Sequence, residues 1–574
     1  VEMPESADMS ATRNYSMQWP GWLMLLVVFM VALRPMEDFD TFWQLQSGKY
    51  ILESGHFLYR DTFSITPDAF RLEHCWLSDI IFYLHYLSGG YKLLSLLKTV
   101  LVTSCAFLLF RVNLRRGGDP FLIAPVLTLC LAASVASWVE RPQLWTFLFS
   151  ILYILLLHRG REPRSKAWLW LIPLMMVWAN LHAGCIFGFV LIGLFFIGEI
   201  VRLVMKKTTS DKLLVLAGIG LAVFGTAFIN PYGSIIPLHV LAHLNLTNIS
   251  SGQQAIMEWL PPASDQIVLF YVVFVIWGAV LLAKWKDNDP AEVIYFCAFL
   301  YMGTSQIRHS VFVPILAGFY LPGSLHYVLR KYLREKSTGD LLRSACRYGT
   351  VPVLALFLYL NVTSASWGWG LGQASFPVAA TQFLKQNRLP PTVYNFYDWG
   401  GYLMWKLYPD YQVFIDGRNT SAGILEASNR IDNSWDGWLE DFNRYKVNTV
   451  ISRTCYYDSG GPVPLVETLA KDPGWVLVYR DDIAVVYLKK DERYKHVWEK
   501  FALPSASVYE TMYAEALRLL REDPNRTRIN LALGRSALKL GRYAESYKYY
   551  SRHLEKNPGD AEARSLVNFL APKR

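Results

Sequence analysis

The sequence predicts a polytopic α-helical membrane protein of about eleven transmembrane helices, followed by a small soluble α/β domain and a helical repeat tail. Three observations lead there. The 574 residues are 53% hydrophobic and 15% aromatic, too apolar for an ordinary soluble chain of this length. Apolar runs of about 15–20 residues, each near the length that crosses a hydrocarbon core, recur through the first two-thirds. After residue 370 the pattern changes to short alternating runs and then to amphipathic helical ones.

The expected spans lie near 19–34, 92–110, 120–138, 143–157, 167–181, 185–203, 213–230, 267–283, 290–306, 310–328 and 349–364. Glu2, Glu5 and Asp8, with no basic flank before a small-residue cleavage site, make the first run read as a retained anchor. The loops then sort by charge. Segments 111–116, 159–166, 202–212, 284–286 and 330–347 hold 19 Lys and Arg, whereas the intervening short loops hold only Arg141 and Arg308. Cytoplasmic loops collect basic residues, so this bias expects a multi-pass protein of a bacterial inner membrane with its N-terminus in the cytoplasm. Everything after the last span is then periplasmic. The net charge of +9 reflects this insertion bias and is no sign of nucleic acid. Segment 77–87 is apolar but short, and reads as an amphipathic helix along the outer interface. Seven scattered cysteines form no C-x-x-C pair and predict neither a disulfide framework nor a zinc site.

On the expected outer side lies a first loop, 35–91, that opens with Glu37, Asp38 and Asp40. Helix capping accounts for one acid near a helix start but poorly for three. Two carboxylates two residues apart suit a base, a divalent-metal pair (Mg2+ or Mn2+), or one of each. Asp38 and Asp40 are the pair singled out, with Glu37 a bystander. The same side collects Glu140-Arg141, Asn180, His182, Glu258-Trp259 and Arg308-His309. Ionisable residues gathered on one membrane face from separate loops outline a single outward-facing site. Arg141 and Arg308, with His182 and His309, are the candidate phosphate-binding groups, since arginine suits phosphate. Glu140, Asn180, Glu258 and Trp259 are candidate lining residues. Snorkelling arginines, hydrogen-bonded structural histidines and an interfacial tryptophan anchor are the competing structural accounts.

From 376 to 490, strand-like runs (TVYNF, YQVFIDG, VNTVISR, GWVLVYRD, IAVVYLK) alternate with helical ones, the pattern of a small α/β domain. Asp398, Asp416 and Arg418 lie at polar-glycine strand ends of the sort that line a crevice. Turn chemistry with one ion pair is the alternative for these residues. From 505 to 574 the chain turns helical, with Pro524-Asn525 and Pro558-Gly559 spaced as in the 34-residue tetratricopeptide repeat. Fewer than three repeats are present, so the tail is expected to lean on the α/β domain or on a partner.

The run D-x-D-T-F-W-x-L-x-x-G-x-x-I-L-E-x-G, followed by D-T-F-S and a Trp-Leu pair over 38–77, resembles a group of bacterial multi-spanning proteins allied to the GT-C glycosyltransferases. E-R-P-Q (140–143), W-A-N-L-H-A-G (178–184), N-P-Y-G (230–233) and W-G-G-Y-L…F-I-D-G-R (399–418) look like further signatures of it. The resemblance implies a membrane enzyme with a GT-C-like domain over 1–370. It also implies a sugar donor carried on a polyprenyl phosphate, on which Asp38 and Asp40 act as catalytic or metal-binding carboxylates. Where the group has an Asn-x-Glu-Trp-Leu-like run, this chain has Glu73-His74-Cys75-Trp76-Leu77, so Glu73 or His74 would stand in. The reaction expected is inverting transfer to a glycan, lipid or protein acceptor on the extracytoplasmic face. The rivals are an oligosaccharyltransferase or glycan ligase using a lipid diphosphate, a transporter or flippase, and an envelope scaffold that recruits a protein through its tail. A transporter predicts mid-bilayer charges and related halves, and no internal repeat is visible.

Overall fold

The computed structural model describes residues 18–65, 72–236, 261, 268–332, 336–363, 368–372, 375–418 and 422–573. The chain divides into two compact units. One comprises Val1–Met36 and His74–Gly370, the other Glu37–Glu73 and Leu371–Arg574. The acidic start of the expected first loop therefore belongs to the same unit as the C-terminal third.

The first unit is helical. Each expected span falls on a helix, among them Trp19–Ala32, Gln143–Arg159, Ile186–Val204 and Phe312–Tyr332. Among the described residues, four helical stretches are long and apolar enough to cross a membrane: Trp76–Arg115, Ala183–Val204, Ile307–Tyr332 and Ser344–Val362. Five further apolar helices among these residues are shorter, so length and composition alone identify four of the eleven expected crossings. Asp-Pro pairs set two of the helix starts. Asp119 accepts from Phe121 N (2.9 Å) ahead of Pro120–Ala132, and Asp289 accepts from Ala291 N (3.1 Å) ahead of Pro290–Ser305. Proline at a helix start gives up no needed hydrogen bond, and the aspartate caps the orphan donors. Segment 77–87 is helical, and the non-helical backbone of Gly89 and Gly90 separates it from the helix that continues to Arg115, as expected of an element distinct from the 92–110 span.

Several buried charges of this unit are paired. Lys98 Nζ lies 2.8 Å from Glu140, Lys284 lies 2.7 Å from Glu292, and Arg161 bridges Glu199 (2.7 Å) and Asp289 (2.5 Å). The seven cysteines of the chain are all free thiols.

The second unit is built on a four-stranded sheet of β1 (Val393–Asn395), β2 (Thr449–Ser452), β3 (Trp475–Arg480) and β4 (Val485–Lys489), in the order β1-β2-β4-β3. The β1–β2 pair is parallel and the other two are antiparallel. Four of the five expected strands form. The fifth run, YQVFIDG, makes only isolated parallel bridges, Gln412 to Thr392 and Val413 to Ser64. Its partner on one side is a piece of the first loop: Ile65 N donates to Val413 O (3.0 Å) and Val413 N to Phe63 O (3.1 Å). The run thus lies between β1 and the loop segment without becoming a full strand.

Behind this edge sits a buried triad. The Arg418 guanidinium binds Asp416 through Nε (2.6 Å) and Nη2 (2.8 Å), and Asp61 through Nη1 (3.0 Å), all three side chains being almost fully enclosed. Asp61 also accepts from Phe63 N (3.1 Å) and Ser64 Oγ (2.5 Å). The same unit holds an aromatic cluster of Phe39, Phe42, Phe376 and Tyr402, with edge-on and stacked rings 4.8–5.5 Å apart.

The tail carries the helices Val508–Glu522, Ile529–Lys539, Tyr543–Lys556 and Ala561–Leu570. Glu515, fully buried, accepts from Arg453 Nε (2.8 Å), Thr454 N (3.0 Å), Thr454 Oγ1 (2.7 Å) and Cys455 N (3.1 Å). The first tail helix is therefore docked on the end of β2, which meets the expectation that so short a repeat array must lean on a neighbour.

Removing one member of a buried, fully paired charge group leaves the others uncompensated, at a cost of about 3–5 kcal/mol. Arg418→Ala is accordingly expected to lower the thermal unfolding midpoint of the purified protein by several degrees. Arg308→Ala, a change at an exposed residue, should leave the midpoint where it is. Equal midpoints for both variants would show that the triad is dispensable.

Candidate active site

The residues expected to form one site divide between the two units. Asp38, Asp40, Glu73, Asp416 and Arg418 are in the second unit, and His74, Glu140, Arg141, Asn180, His182, Arg308 and His309 in the first. Glu258 and Trp259 lie outside the described residues.

In the second unit the acidic turn is held from two directions. Asp38 is buried, and its Oδ1 accepts from Asp40 N (2.9 Å), Thr41 N (3.1 Å) and Thr41 Oγ1 (3.4 Å). It thus satisfies the first amide of helix Thr41–Ser54 from two residues ahead of the N-cap position, which Asp40 occupies. This role separates the pair: Asp38 organises the turn while Asp40, half-buried, follows it. Asp40 rests against the D-G-R segment, for a Cβ placed on Gly417 would lie 2.2 Å from its Oδ1. The backbone behind the turn rests on helix Gly400–Leu407, where a Cβ on Gly401 would lie 2.8 Å from Phe39 O. The two signatures W-G-G-Y and F-I-D-G-R therefore meet the D-x-D turn directly.

Asp398 stands on the short turn Tyr397–Trp399 that leads into that helix. Burial pushes its carboxyl up to about 6. Arg453 opposes the rise, and the negative charges of Asp458 and Asp40 add to it. The sequence sets Asp398 beside Asp416 and Arg418 as crevice candidates, and of the three it alone is not consumed by the buried triad. Asp416 and Arg418 are bound to each other, and Arg418 to Asp61, in that buried triad. Glu73 is fully buried and accepts from Ser47 Oγ (2.9 Å), fastening the far end of the first loop to helix Thr41–Ser54.

In the first unit, two expected lining residues are spent on structure. Glu140 is buried in its ion pair with Lys98, which also donates to Arg34 O (3.2 Å). Asn180 accepts from Trp76 Nε1 (2.9 Å) and donates to Met176 O (2.7 Å) and Ile229 O (2.9 Å), which ties three segments together. His182 is half-buried, with Nδ1 2.7 Å from Thr146 Oγ1 and accepting from Gly184 N at 3.2 Å. Burial lowers its pKa to about 3, and the charge of Arg308 adds to this, so the ring is neutral and close enough to feel that guanidinium. His309 packs edge-on against Phe187 at 5.5 Å. Arg308 is exposed on the short turn Ile307–Ser310, while Arg141 and His74 are half-buried.

The expected metal pair finds no shell around it. Asp38 Oδ1 already takes three donors, and among the described residues no group of three or more His, Cys, Asp or Glu is placed to hold an ion.

Comparison with known proteins places the fold. A tetratricopeptide-repeat family model matches residues 509–568. No curated protein matches the chain in sequence. Among solved structures, the archaeal oligosaccharyltransferase AglB from Archaeoglobus fulgidus, in complex with an inhibitory peptide and a dolichol-phosphate, superposes with a TM-score of 0.56 at 10% identity. The match covers 94% of this chain and 86% of that one. ArnT from Cupriavidus metallidurans, in the apo state and bound to undecaprenyl phosphate, gives TM-scores of 0.49 and 0.48 at 15% and 14% identity. Those matches cover 81% and 82% of this chain and 97% and 98% of theirs. The chain thus shares the fold of AglB, and its tail matches the tetratricopeptide-repeat family.

The buried carboxyl of Asp432 accepts from Tyr394 Oη at 2.7 Å. Burial raises its pKa to about 7, against the lowering effect of the Tyr394 hydrogen bond and with a further rise from Asp398. A carboxyl raised in the folded state binds its proton there while the unfolded chain has released it. Stability contributed by this group is therefore full at low pH and falls between about pH 4 and pH 7. Asp432→Asn is expected to stabilise the protein at pH 8, on the order of a few kcal/mol, and to change little at pH 4. Unfolding midpoints of both proteins across that range check the sign, and a gain confined to low pH would contradict it.

Proposed function

We propose that this chain is a membrane glycosyltransferase of the GT-C kind. It moves a sugar from a polyprenyl-phosphate-linked donor to an acceptor hydroxyl or amide on the extracytoplasmic face. The observation that carries the reading is the acidic turn at Asp38–Asp40, clasped by the W-G-G-Y and D-G-R segments on a fold shared with AglB. Asp40 is the base. It takes the acceptor's proton as the acceptor atom bonds to the anomeric carbon, and the bond to the phosphate oxygen breaks on the opposite side. The configuration inverts, and polyprenyl phosphate leaves with the electron pair. Asp38 holds the turn. Arg308, with Arg141, His182 and His309, supplies hydrogen-bond donors and positive charge for the departing phosphate. The apolar helices keep the enzyme in the membrane where such a lipid resides.

A second reading is oligosaccharide transfer from a lipid diphosphate. It is favoured by the fold shared with AglB, an oligosaccharyltransferase in complex with an inhibitory peptide and a dolichol-phosphate. The tail, matched by the tetratricopeptide family, would then present or recruit a protein acceptor.

Purified protein in lipid nanodiscs, supplied with a polyprenyl-phosphate [14C]sugar and a membrane extract as acceptor source, should release polyprenyl phosphate. Loss of the base should slow that release by about 10²–10⁴-fold in Asp40→Asn. Arg308→Ala should weaken the donor KM more than kcat. Wild-type release by Asp40→Asn would sink the proposal. Turnover only with a lipid-diphosphate oligosaccharide would select the second reading.

A further inference from the structure

The buried triad takes no part in that chemistry, yet it fixes the piece of backbone on which Asp40 rests. Asp416 Oδ1 accepts from Arg418 N (3.0 Å) as well as from Arg418 Nε, so residues 416–418 form a closed, charge-assisted loop. Asp61 holds the other side of the guanidinium. Just upstream, Val413 is bridged to the first loop by the two backbone hydrogen bonds with Phe63 and Ile65. Asn395, the last residue of β1, donates to Ile415 O (2.8 Å) and accepts from Phe414 N (2.8 Å). Gly417 therefore has little freedom to move away from Asp40.

Nothing in its backbone requires glycine. Gly417 is not among the glycines with a left-handed φ, so any residue could adopt its conformation. What excludes a side chain is space. A Cβ would lie 2.2 Å from Asp40 Oδ1 and 3.3 Å from its Cγ, with no other group as near. The obstructing atoms are the far end of a side chain and not backbone, so alanine at 417 leaves the fold standing and moves the carboxylate. We propose that Gly417, locked in place by the Asp61–Arg418–Asp416 triad, is a positioning residue that sets where the Asp40 carboxylate points.

The inference rests on Asp40 being the base and deepens that reading. It explains why a buried ion triad is built between the D-T-F-S and D-G-R segments, about 350 residues apart in the chain. The triad is not merely a tether for the first loop. It makes the floor under the carboxylate rigid, and a group misplaced by about 1 Å can lose roughly 100-fold in rate.

The test compares Gly417→Ala, Asp40→Asn and the double variant in the polyprenyl-phosphate [14C]sugar assay, with unfolding midpoints taken alongside. Gly417→Ala is expected to keep the wild-type midpoint and a donor KM within about 3-fold. Its kcat should fall about 10–100-fold. In the Asp40→Asn background the same substitution should cost nothing further, because the carboxylate it displaces is already disabled. A merely structural role would instead lower the midpoint, or reduce the residual rate by the same factor in both backgrounds. Wild-type kcat in Gly417→Ala beside a crippled Asp40→Asn overturns this inference alone. Wild-type kcat in Asp40→Asn overturns both it and the proposed base.

Discussion

The second unit depends on one arginine held between two aspartates. Arg418 brings together a residue from the first loop, Asp61, and one from the α/β domain, Asp416, in an enclosure that excludes water. Burying three charges is expensive, and it is tolerable here because Nε and Nη2 hydrogen-bond to the two carboxylates while Nη1 lies in ion contact with Asp61. Burial lowers the Arg418 pKa, and the charge of Asp416 and its hydrogen bond, with Asp61 and Glu73, outweigh that, so the group stays protonated. A lysine could not replace it, for an ammonium has no planar fork to engage two carboxylates at once. With this anchor in place, the bridges at Ser64 and Val413 and the aromatic cluster at Phe39, Phe42, Phe376 and Tyr402 form at short range.

The first unit applies the same rule to an apolar bundle. Glu140, Glu199, Glu292 and Asp289 would each be costly among hydrophobic helices, and each has a Lys or Arg within 2.8 Å. Glu292 is satisfied further by Ser324 Oγ (2.8 Å) and Trp277 Nε1 (3.1 Å). Such pairs specify which helices meet, since a slipped helix would strand a charge in an apolar surrounding. This is why an acid in an expected outer loop, Glu140, is architecture: its partner Lys98 lies inside a neighbouring apolar run.

Much of the fold is legible in the sequence because its signals are local. Apolar length marks the helices, the Asp-Pro pairs at 119–120 and 289–290 mark two of their starts, and proline-spaced amphipathic runs mark the repeat tail. The seat of the acidic turn is legible only in part. D-x-D, D-T-F-S and D-G-R each stand out as polar punctuation in hydrophobic surroundings, but no period or spacing says that residue 61 pairs with residue 418. YQVFIDG falls short of the expected full strand for the same reason. Its alternation is real, yet its outer neighbour is a loop segment from far upstream that offers a single bridge at Ser64. Asp38 and Asp40 look equivalent in sequence, and only the three donors converging on Asp38 Oδ1 tell them apart. Gly417 carries no signal at all, because Asp-Gly is ordinary turn chemistry until the atom that fills the missing side chain's place is known.

The tail extends this logic outward from the acidic turn. Arg453 lies beneath Trp399, 5.8 Å from its ring, and its charge acts on Asp398 in the turn that precedes Gly400. Its other commitment is to Glu515 in the first tail helix. A repeat array of two units cannot bury its own face, so Glu515 and the contacts of Arg526 with Tyr457 O (2.7 Å) and of Arg535 with Glu467 (2.8 Å) complete that face with the α/β domain. The array is therefore not a detachable adaptor. A load on the tail is borne by the segment 453–457, which also packs against the Trp399 turn, and that turn leads directly into the glycines beneath the acidic loop. Rigid support of this kind is what a carboxylate needs to be held in one pose. An adaptor on a flexible linker could recruit a partner equally well but could not provide that support.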